Sequence, residues 1–197
     1  MTELTLRIET LRRFNACDLH TRVDDITRVM GRVLHEDEEI PLRTWWDLDT
    51  TSVVDMWWSL RCLGEPGQRI GVEAACLAAR RVLRRTPEQD RPACLAAIEA
   101  AEGWLRGDVT HEECREAASA AGINENYDGA DEAACDAAAA AINAAAAAIN
   151  AAAAYVAASY AVSAAAYVDA SPPYDADVAD AEREHQRADL YRLTFGD

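Results

Sequence analysis

The chain has 197 residues; half are apolar but only 7% aromatic, and Ala dominates the apolar set, which argues for closely packed helices and against a β-rich fold. A length of this kind suits one domain, or a compact domain with an appended helix, and is enough to bury a core. The net charge is −16, from 35 acids against 19 basic residues, all of them Arg, so direct binding to nucleic-acid phosphates is not expected.

The first 50 residues read as an N-terminal helical region. Leu4, Ile8, Leu11 and Phe14 share one helical face, and Ile26, Val29, Met30, Val33 and Leu34 share another after Asp24-Asp25. The polar run from His35 to Glu39, closed by Pro41, marks a loop. A capped helix follows: Thr51 or Ser52 is placed to cap it, Val53, Val54, Trp57, Trp58, Leu60 and Leu63 ride on it, and Gly64 and Pro66 end it. Trp45 and Trp46 lie on the approach to it. Four of the five tryptophans fall between positions 45 and 58, either as aromatic anchors for a partner or as a Trp-rich core where the N-terminal helices join the rest.

Residues 68 to 85 continue as a helix through Ile70, Val72, Cys76, Leu77, Val82 and Leu83. Arg80, Arg81, Arg84 and Arg85 load its last turns, where cations complement the helix dipole, and Pro87 stops it. Pro92 suits the first turn of the next helix, ended by Gly107. Thr110 with Glu113 makes a capping box for the helix HEECREAASAA, which runs to Gly122.

From Ala133 to Ala166, 22 of 34 residues are Ala, and no charge falls between Asp136 and Asp169. The segment reads as one long helix or a helical pair. Cys135, Ile142, Ile149, Val156 and Ser163 recur every seven residues, with Ala138, Ala145, Ala152, Ser159 and Ala166 three positions on, a stripe that permits close helix packing or a homodimer contact. Asn143 and Asn150 are candidate breaks, and Tyr155, Tyr160 and Tyr167 flank the stripe. A membrane span is not expected: the run contains Asn and Ser, lacks Leu and Phe, and has acidic ends. After Ser171-Pro172-Pro173, a final helix starts near Asp177 within residues 174–197. It carries Val178, Ala181, Leu190, Leu193 and Phe195 opposite a solvated face of Glu182, Arg183, Glu184, Arg187 and Arg192.

No pattern of catalytic chemistry emerges. The four histidines, His20, His35, His111 and His185, are far apart, and HEECR at 111–115 has Arg115 where a zinc helix needs its second His. The six cysteines, at 17, 62, 76, 94, 114 and 135, show no metal spacing. They sit among Ala, Leu or Ile, as reduced core thiols of a cytoplasmic protein do. Neither cofactor nor metal is expected, and the glycines form no phosphate loop. Excess Ala and Arg without Lys fits a GC-rich genome, bacterial or phage.

A resemblance supplies a functional expectation. The stretch DRPACLAAIEAAEGWLRGDVT, followed by EEC and Ala-rich helices, resembles the Imm-5-like immunity proteins of bacteria and their phages. Asp90, Arg91, Pro92, Ala97, Ile98, Glu99, Ala100, Ala101, Trp104, Arg106 and Gly107 carry it. The resemblance covers about residues 53 to 168, within an expected helical domain of 51–170, and the C-terminal AEREHQRADLYRL also looks like the ending of phage-borne relatives. Where many relatives place His in the Ala-rich helices, this chain has Asn143, Asn150 and Tyr155. It implies an all-helical protein that neutralises a toxin by direct binding.

The acids give that expectation a surface. Residues 124 to 197 hold 13 acids and 3 Arg, and a second cluster spans Glu36, Asp37, Glu38 and Glu39. The expected function is non-catalytic: stoichiometric binding of a basic protein partner, of the immunity or counter-defence type. Glu36, Asp37, Glu38, Glu39, Trp45, Trp46, Asp175, Asp177 and Asp180 are the candidate contact residues. The alternatives are a DNA-mimic inhibitor of a DNA-targeting defence complex and a self-associating phage structural protein; a purely solubilising role for the acids is the plainer explanation of the charge.

Overall fold

The computed structural model describes residues 4–13, 19–86, 88–121, 139–140, 143–144, 146–147, 157, 160 and 175–196. The protein is all-α: among the described residues, only a two-stranded sheet accompanies its helices. It divides into two units, Met1–Gly67 and Gln68–Asp197. The division falls at Gly67, so the Trp-bearing helix belongs to the same unit as the N-terminal elements.

In the first unit, β1 (Thr5–Arg7) pairs antiparallel with β2 (Glu39–Pro41), with Leu6 opposite Ile40. Both facing residues are buried. The helix expected from Leu4 is thus a strand followed by the short α1 (Ile8–Arg13), and the expected loop ends in a strand. In three-residue strands a period of two has no length over which to show. Pro41 is tolerated at the end of β2, where the missing N–H costs no ladder bond, and the Leu42 amide then donates to the Leu4 carbonyl at 2.8 Å.

α2 (Leu19–Met30) stops at Gly31, whose φ of +66° lies in the left-handed region. The apolar face expected from Ile26 to Leu34 is not continuous: Ile26 is fully buried, whereas Val29 and Val33 are 66% and 75% exposed. The helix ends before the stripe is complete, so Val33 leaves the face that buries Ile26.

α3 (Leu42–Trp46) and α4 (Val53–Leu60) carry the tryptophans. Ser52 caps α4 in a capping box with Asp55, which satisfies N-terminal amides that would otherwise lack partners. Thr51 does not cap; its buried hydroxyl donates to the Trp45 carbonyl at 2.8 Å. The Trp46 indole N–H donates to Ser59 Oγ at 2.9 Å, and the Ser59 hydroxyl donates to the Met56 carbonyl at 2.7 Å. A 3₁₀ turn (Arg61–Leu63) leads to α5 (Glu65–Val82). Pro66 therefore sits in the first turn of α5, where its fixed φ is suitable. Gly67 is required for close approach, since a Cβ there would come within 1.9 Å of the Leu60 carbonyl oxygen.

The second unit continues α5 into a 3₁₀ turn (Leu83–Arg85), then α6 (Arg91–Arg106), α7 (His111–Ala120) and α8 (Ala176–Phe195). Small residues line its core: Ala74, Ala75, Ala78 and Ala79 of α5, Ala97 and Ala101 of α6, with Val72 and Ile98 between them. The corner between α6 and α7 follows from local rules. Gly107 takes φ +84°, its amide donates to the Trp104 carbonyl at 3.0 Å, and the Asp108 amide donates to the Gly103 carbonyl at 2.9 Å. This is the paired bonding of a Schellman turn. Gly103 accommodates Val109 against the helix, a Cβ there being 2.4 Å from Val109 Cγ2. Thr110 and Glu113 form the expected capping box of α7, which stops at Ala120, one residue before the C-cap Ala121. The Trp104 ring lies between the Arg69 guanidinium, 5.6 Å from its centroid, and a stacked His111, also at 5.6 Å.

Most of the Ala-rich segment, including every residue of the heptad stripe, Asn150, Tyr155 and Tyr167, lies outside the described residues, as do Cys17, Cys135, Pro87 and Gly122. Asn143 is helical, its side-chain amide donating to the Ala139 carbonyl at 2.9 Å. Ala140, Ala144 and Ala147 are fully buried at helical spacing. Gln68 reaches the Ala147 carbonyl at 3.2 Å. Tyr160 is 37% exposed.

α8 departs from the expected face. Its buried residues are Ala179, Glu182, Gln186 and Leu190, while Ala181 is exposed. Glu182, assigned by sequence to solvent, instead accepts from Arg81 Nε at 2.9 and 3.2 Å and from Nη2 at 2.8 Å, and Arg81 Nη1 reaches Asp189 at 2.6 Å. Burial lowers the Arg81 pKa, but the hydrogen bonds and charges of Glu182 and Asp189 outweigh it, leaving it above the ordinary value. On the exposed side of α8, Arg183 pairs with Asp180 and Arg187 with Glu184, each three residues apart.

A second bidentate pair joins α5 to α6. Arg80 Nε and Nη2 donate to the two oxygens of Glu102 at 2.6 and 2.8 Å. The hydrogen bond from Arg80 holds the Glu102 carboxyl below its ordinary 4.5. A depressed carboxylate pKa stabilises the fold above its unfolded value and ceases to do so as pH falls through the folded one. Glu102→Gln is therefore expected to cost about 1 kcal/mol at neutral pH, and the gap to the parent should close as urea unfolding is repeated below pH 4.5. A gap that is constant from neutral to acid pH would refute the linkage.

Candidate protein-binding surface

An exposed segment braced by several contacts is the connection from Gly31 to Glu38. The Glu9 amide donates to the Glu36 carbonyl at 3.0 Å, and the Glu38 amide donates to the His35 carbonyl at 3.1 Å. The His35 amide donates in turn to the Glu38 carboxylate at 3.2 Å. Ion pairs add two fastenings, Arg12 to Glu36 at 2.5 Å and Arg32 to Glu38. At its end Arg7 pairs with Glu39 at 2.9 Å across the strands. That hydrogen bond raises the Arg7 pKa and lowers the Glu39 pKa.

The acidic cluster is thus largely engaged with Arg residues of its own unit. Glu36 and Glu39 are exposed and paired, Glu38 is half-buried and paired, and Asp37 is exposed. The pairs at Glu36, Glu38 and Glu39 interrupt the rows of carboxylates that a DNA mimic needs. What the loop and the last turn of α2 present is mixed: Val33 on the loop and Val29 on the helix as apolar points, with Glu36 and Asp37 further along the chain. An apolar centre with a polar rim is the composition of a protein interface, and a braced loop loses little conformational freedom on binding.

The other candidates are placed elsewhere. Trp45 and Trp46 are each 1% exposed and belong to the core of the first unit; their indoles are held inward by the packing of α3 on α4, so they offer no contact patch. Asp175 is the N-cap of α8, its carboxylate accepting from the Asp177 and Val178 amides at 3.0 and 3.2 Å. Asp177 and Asp180 are exposed on the first turns of α8, Asp180 paired with Arg183. The structure thus separates the acids into two local groups, one in each unit.

The four described thiols are set against reactivity. Burial pushes Cys62 and Cys76 up to about 12 and raises Cys94 and Cys114. Cys76 and Cys114 lie against the carbonyls of Ile98 and Ala100. A thiol so far from ionisation is a poor nucleophile and a poor metal ligand at neutral pH. Glu112 and Glu113 act locally, Glu112 pairing with Arg115 and Glu113 closing the capping box, where the Thr110 amide lowers its pKa. Among the described residues no group of three or more His, Cys, Asp or Glu is placed to hold a metal ion, and no helix is long and apolar enough to cross a membrane.

The apolar spacing groups Val29 and Val33 with Ile26; Gly31 ends the helix before Val33 and takes that residue off the face, whereas Val29 is exposed within α2 itself. Comparisons with family models, with curated proteins and with solved structures gave no match to this chain.

Proposed function

We propose that the protein acts stoichiometrically, by binding another protein through the braced Gly31–Glu38 connection of the first unit, as an inhibitor of the immunity or counter-defence type. The observation that carries this is the exposure of Val33, 75% open to solvent, on a segment fastened to α1 by Arg12 and the Glu9 amide and closed on itself by the Arg32–Glu38 pair. Exposed apolar side chains on a pre-ordered loop are suited to docking, and the adjoining acids favour a partner with a basic surface. The chain-wide charge of −16 adds attraction at long range. The resemblance of the α6–α7 region to Imm-5-like proteins supports the inhibitory character, and the depressed acidity of the thiols accords with a non-catalytic role.

The test is capture from an extract of the host bacterium, at low and high salt, with Val33→Ser/Asp37→Asn as the comparison. Both residues are exposed, so the variant should keep its fold. A partner held by the parent, released by salt and reduced by about fivefold or more in the variant is the expected result. Equal capture by parent and variant would move the interface elsewhere, and recovery of nothing beyond the protein itself would overturn the proposal in that host.

A further inference from the structure

The register of the two-stranded sheet decides which backbone groups of β1 are already used. The Leu42 amide donates to the Leu4 carbonyl, and Leu6 stands opposite Ile40. In an antiparallel ladder hydrogen-bonded and non-bonded pairs alternate, so Leu4 and Leu6 turn their backbone groups to β2 while Thr5 and Arg7 turn theirs away from it. Pro41, opposite Thr5, fits the alternation: its missing N–H falls where β2 makes no ladder bond. The Arg7 carbonyl is at the start of α1, which begins at Ile8, and is taken by the first bond of that helix. The amides of Thr5 and Arg7 and the Thr5 carbonyl are left, with no hydrogen-bond partner among the described residues.

This open edge borders a recess. Thr5, Arg7 and Glu9 share with Cys62 and Leu63 of the 3₁₀ turn the lining of a cavity of about 410 Å³, within the range of ligand sites. Cys62 and Leu63 are half-buried and give it an apolar side. Its charge is unbalanced: the Arg7 guanidinium is 2.9 Å from Glu39 and 3.9 Å from Glu9, so two carboxylates share one cation and one negative charge is left over.

We infer that the recess takes a short extended segment of a partner protein, added as a third strand along β1, with an apolar side chain toward Cys62 and Leu63 and a Lys or Arg beside Glu9. Two donors and an acceptor spaced along an extended edge are matched by the backbone of another extended chain, and side-chain pockets beside the edge then select its sequence. The leftover carboxylate favours a basic segment. A second copy of this chain is a poor occupant, because its own β1 stands in the same recess beside its own 3₁₀ turn. The strand edge lies outside the Gly31–Glu38 loop, and its occupancy does not depend on Val33.

The experiment is an NMR titration of the full chain with acetyl-Lys-Val-Ala-Val-Lys-amide, reading amide shifts and amide hydrogen exchange. The comparison ligands are the same peptide N-methylated at its three central residues and a version with Glu at both ends; the comparison protein is Thr5→Pro. That substitution deletes an outward N–H and no ladder bond, so the thermal midpoint should stay near that of the parent. Saturable binding is expected, with exchange of the Thr5 and Arg7 amides slowed about tenfold or more. Affinity should fall about fivefold or more in Thr5→Pro and for both comparison peptides. If Thr5→Pro lowers the midpoint, exchange of the two amides in the parent decides. Absence of saturation, unchanged exchange at Thr5 and Arg7, or equal affinity for the N-methylated peptide would overturn strand addition. Equal affinity for the Glu-ended peptide would overturn the basic preference. Protection of the two amides that grows with protein concentration in the absence of peptide would overturn the partner segment in favour of a second copy.

Discussion

Replacement of Arg81 by Ala is expected to destabilise the second unit by about 3–5 kcal/mol, the usual cost of leaving a buried charge without its partner. Glu182 is 5% exposed and Asp189 13% exposed at the side chain, and both take hydrogen bonds from the one guanidinium. The apolar contribution of α8 is modest, since its fully enclosed apolar residues are Ala179 and Leu190. The helix is therefore held by charge to an unusual degree. Urea unfolding followed by helical circular dichroism, with limited proteolysis to report on α8, gives the measurement. Arg81→Met/Glu182→Leu is the informative second variant: apolar replacement of the principal pair should recover most of the loss, because the desolvation that the pair must overcome disappears with it. A loss below about 1 kcal/mol in Arg81→Ala would mean that the pair behaves as an exposed one and that α8 is fastened by something else.

The second large effect belongs to the first unit. Trp46→Ala is expected to cost about 3–5 kcal/mol, the range for removing a buried aromatic and leaving a cavity. The side chain is 1% exposed and is oriented by its bond to Ser59. Trp46→Phe separates the two contributions: it keeps much of the volume and deletes the indole donor, so the cost should fall to about 1 kcal/mol, since Ser59 retains its bond to Met56. Equal losses in the two variants would show that the hydrogen bond outweighs the packing.

Helix ends are the part of the fold most legible in the sequence. Ser52 with Asp55, Thr110 with Glu113, Pro92 and Gly107 occupy the positions that capping chemistry assigns to them, because each acts over four or five residues without help from the rest of the chain. The two strands are less legible, since three residues show no period, and Leu6 and Ile40 matter only when set opposite each other. α8 misleads for a different reason. A pattern of apolar residues cannot announce that Glu182 and Gln186 face inward, because Arg81, the partner that makes this tolerable, lies 101 residues earlier in the chain. The candidate site divides in the same way. The acidity of positions 36 to 39 is plain from composition, but their engagement with Arg7, Arg12 and Arg32 depends on tertiary placement. The burial of Trp45 and Trp46 follows the core reading of the aromatic cluster and not the contact reading.

Apart from His185, the cations in the described ion pairs are all guanidinium groups. A guanidinium keeps its proton in protein interiors at any pH a folded chain survives, and the Cys62 and Cys76 thiols do not ionise until about 12. Alkali, which in Lys-rich proteins discharges one partner of each pair, thus finds nothing to discharge at the contacts that hold α8 to α5 or α5 to α6. Acid does, through the carboxylates. The described ion pairs thus answer to only one side of the pH scale, holding toward base and releasing toward acid.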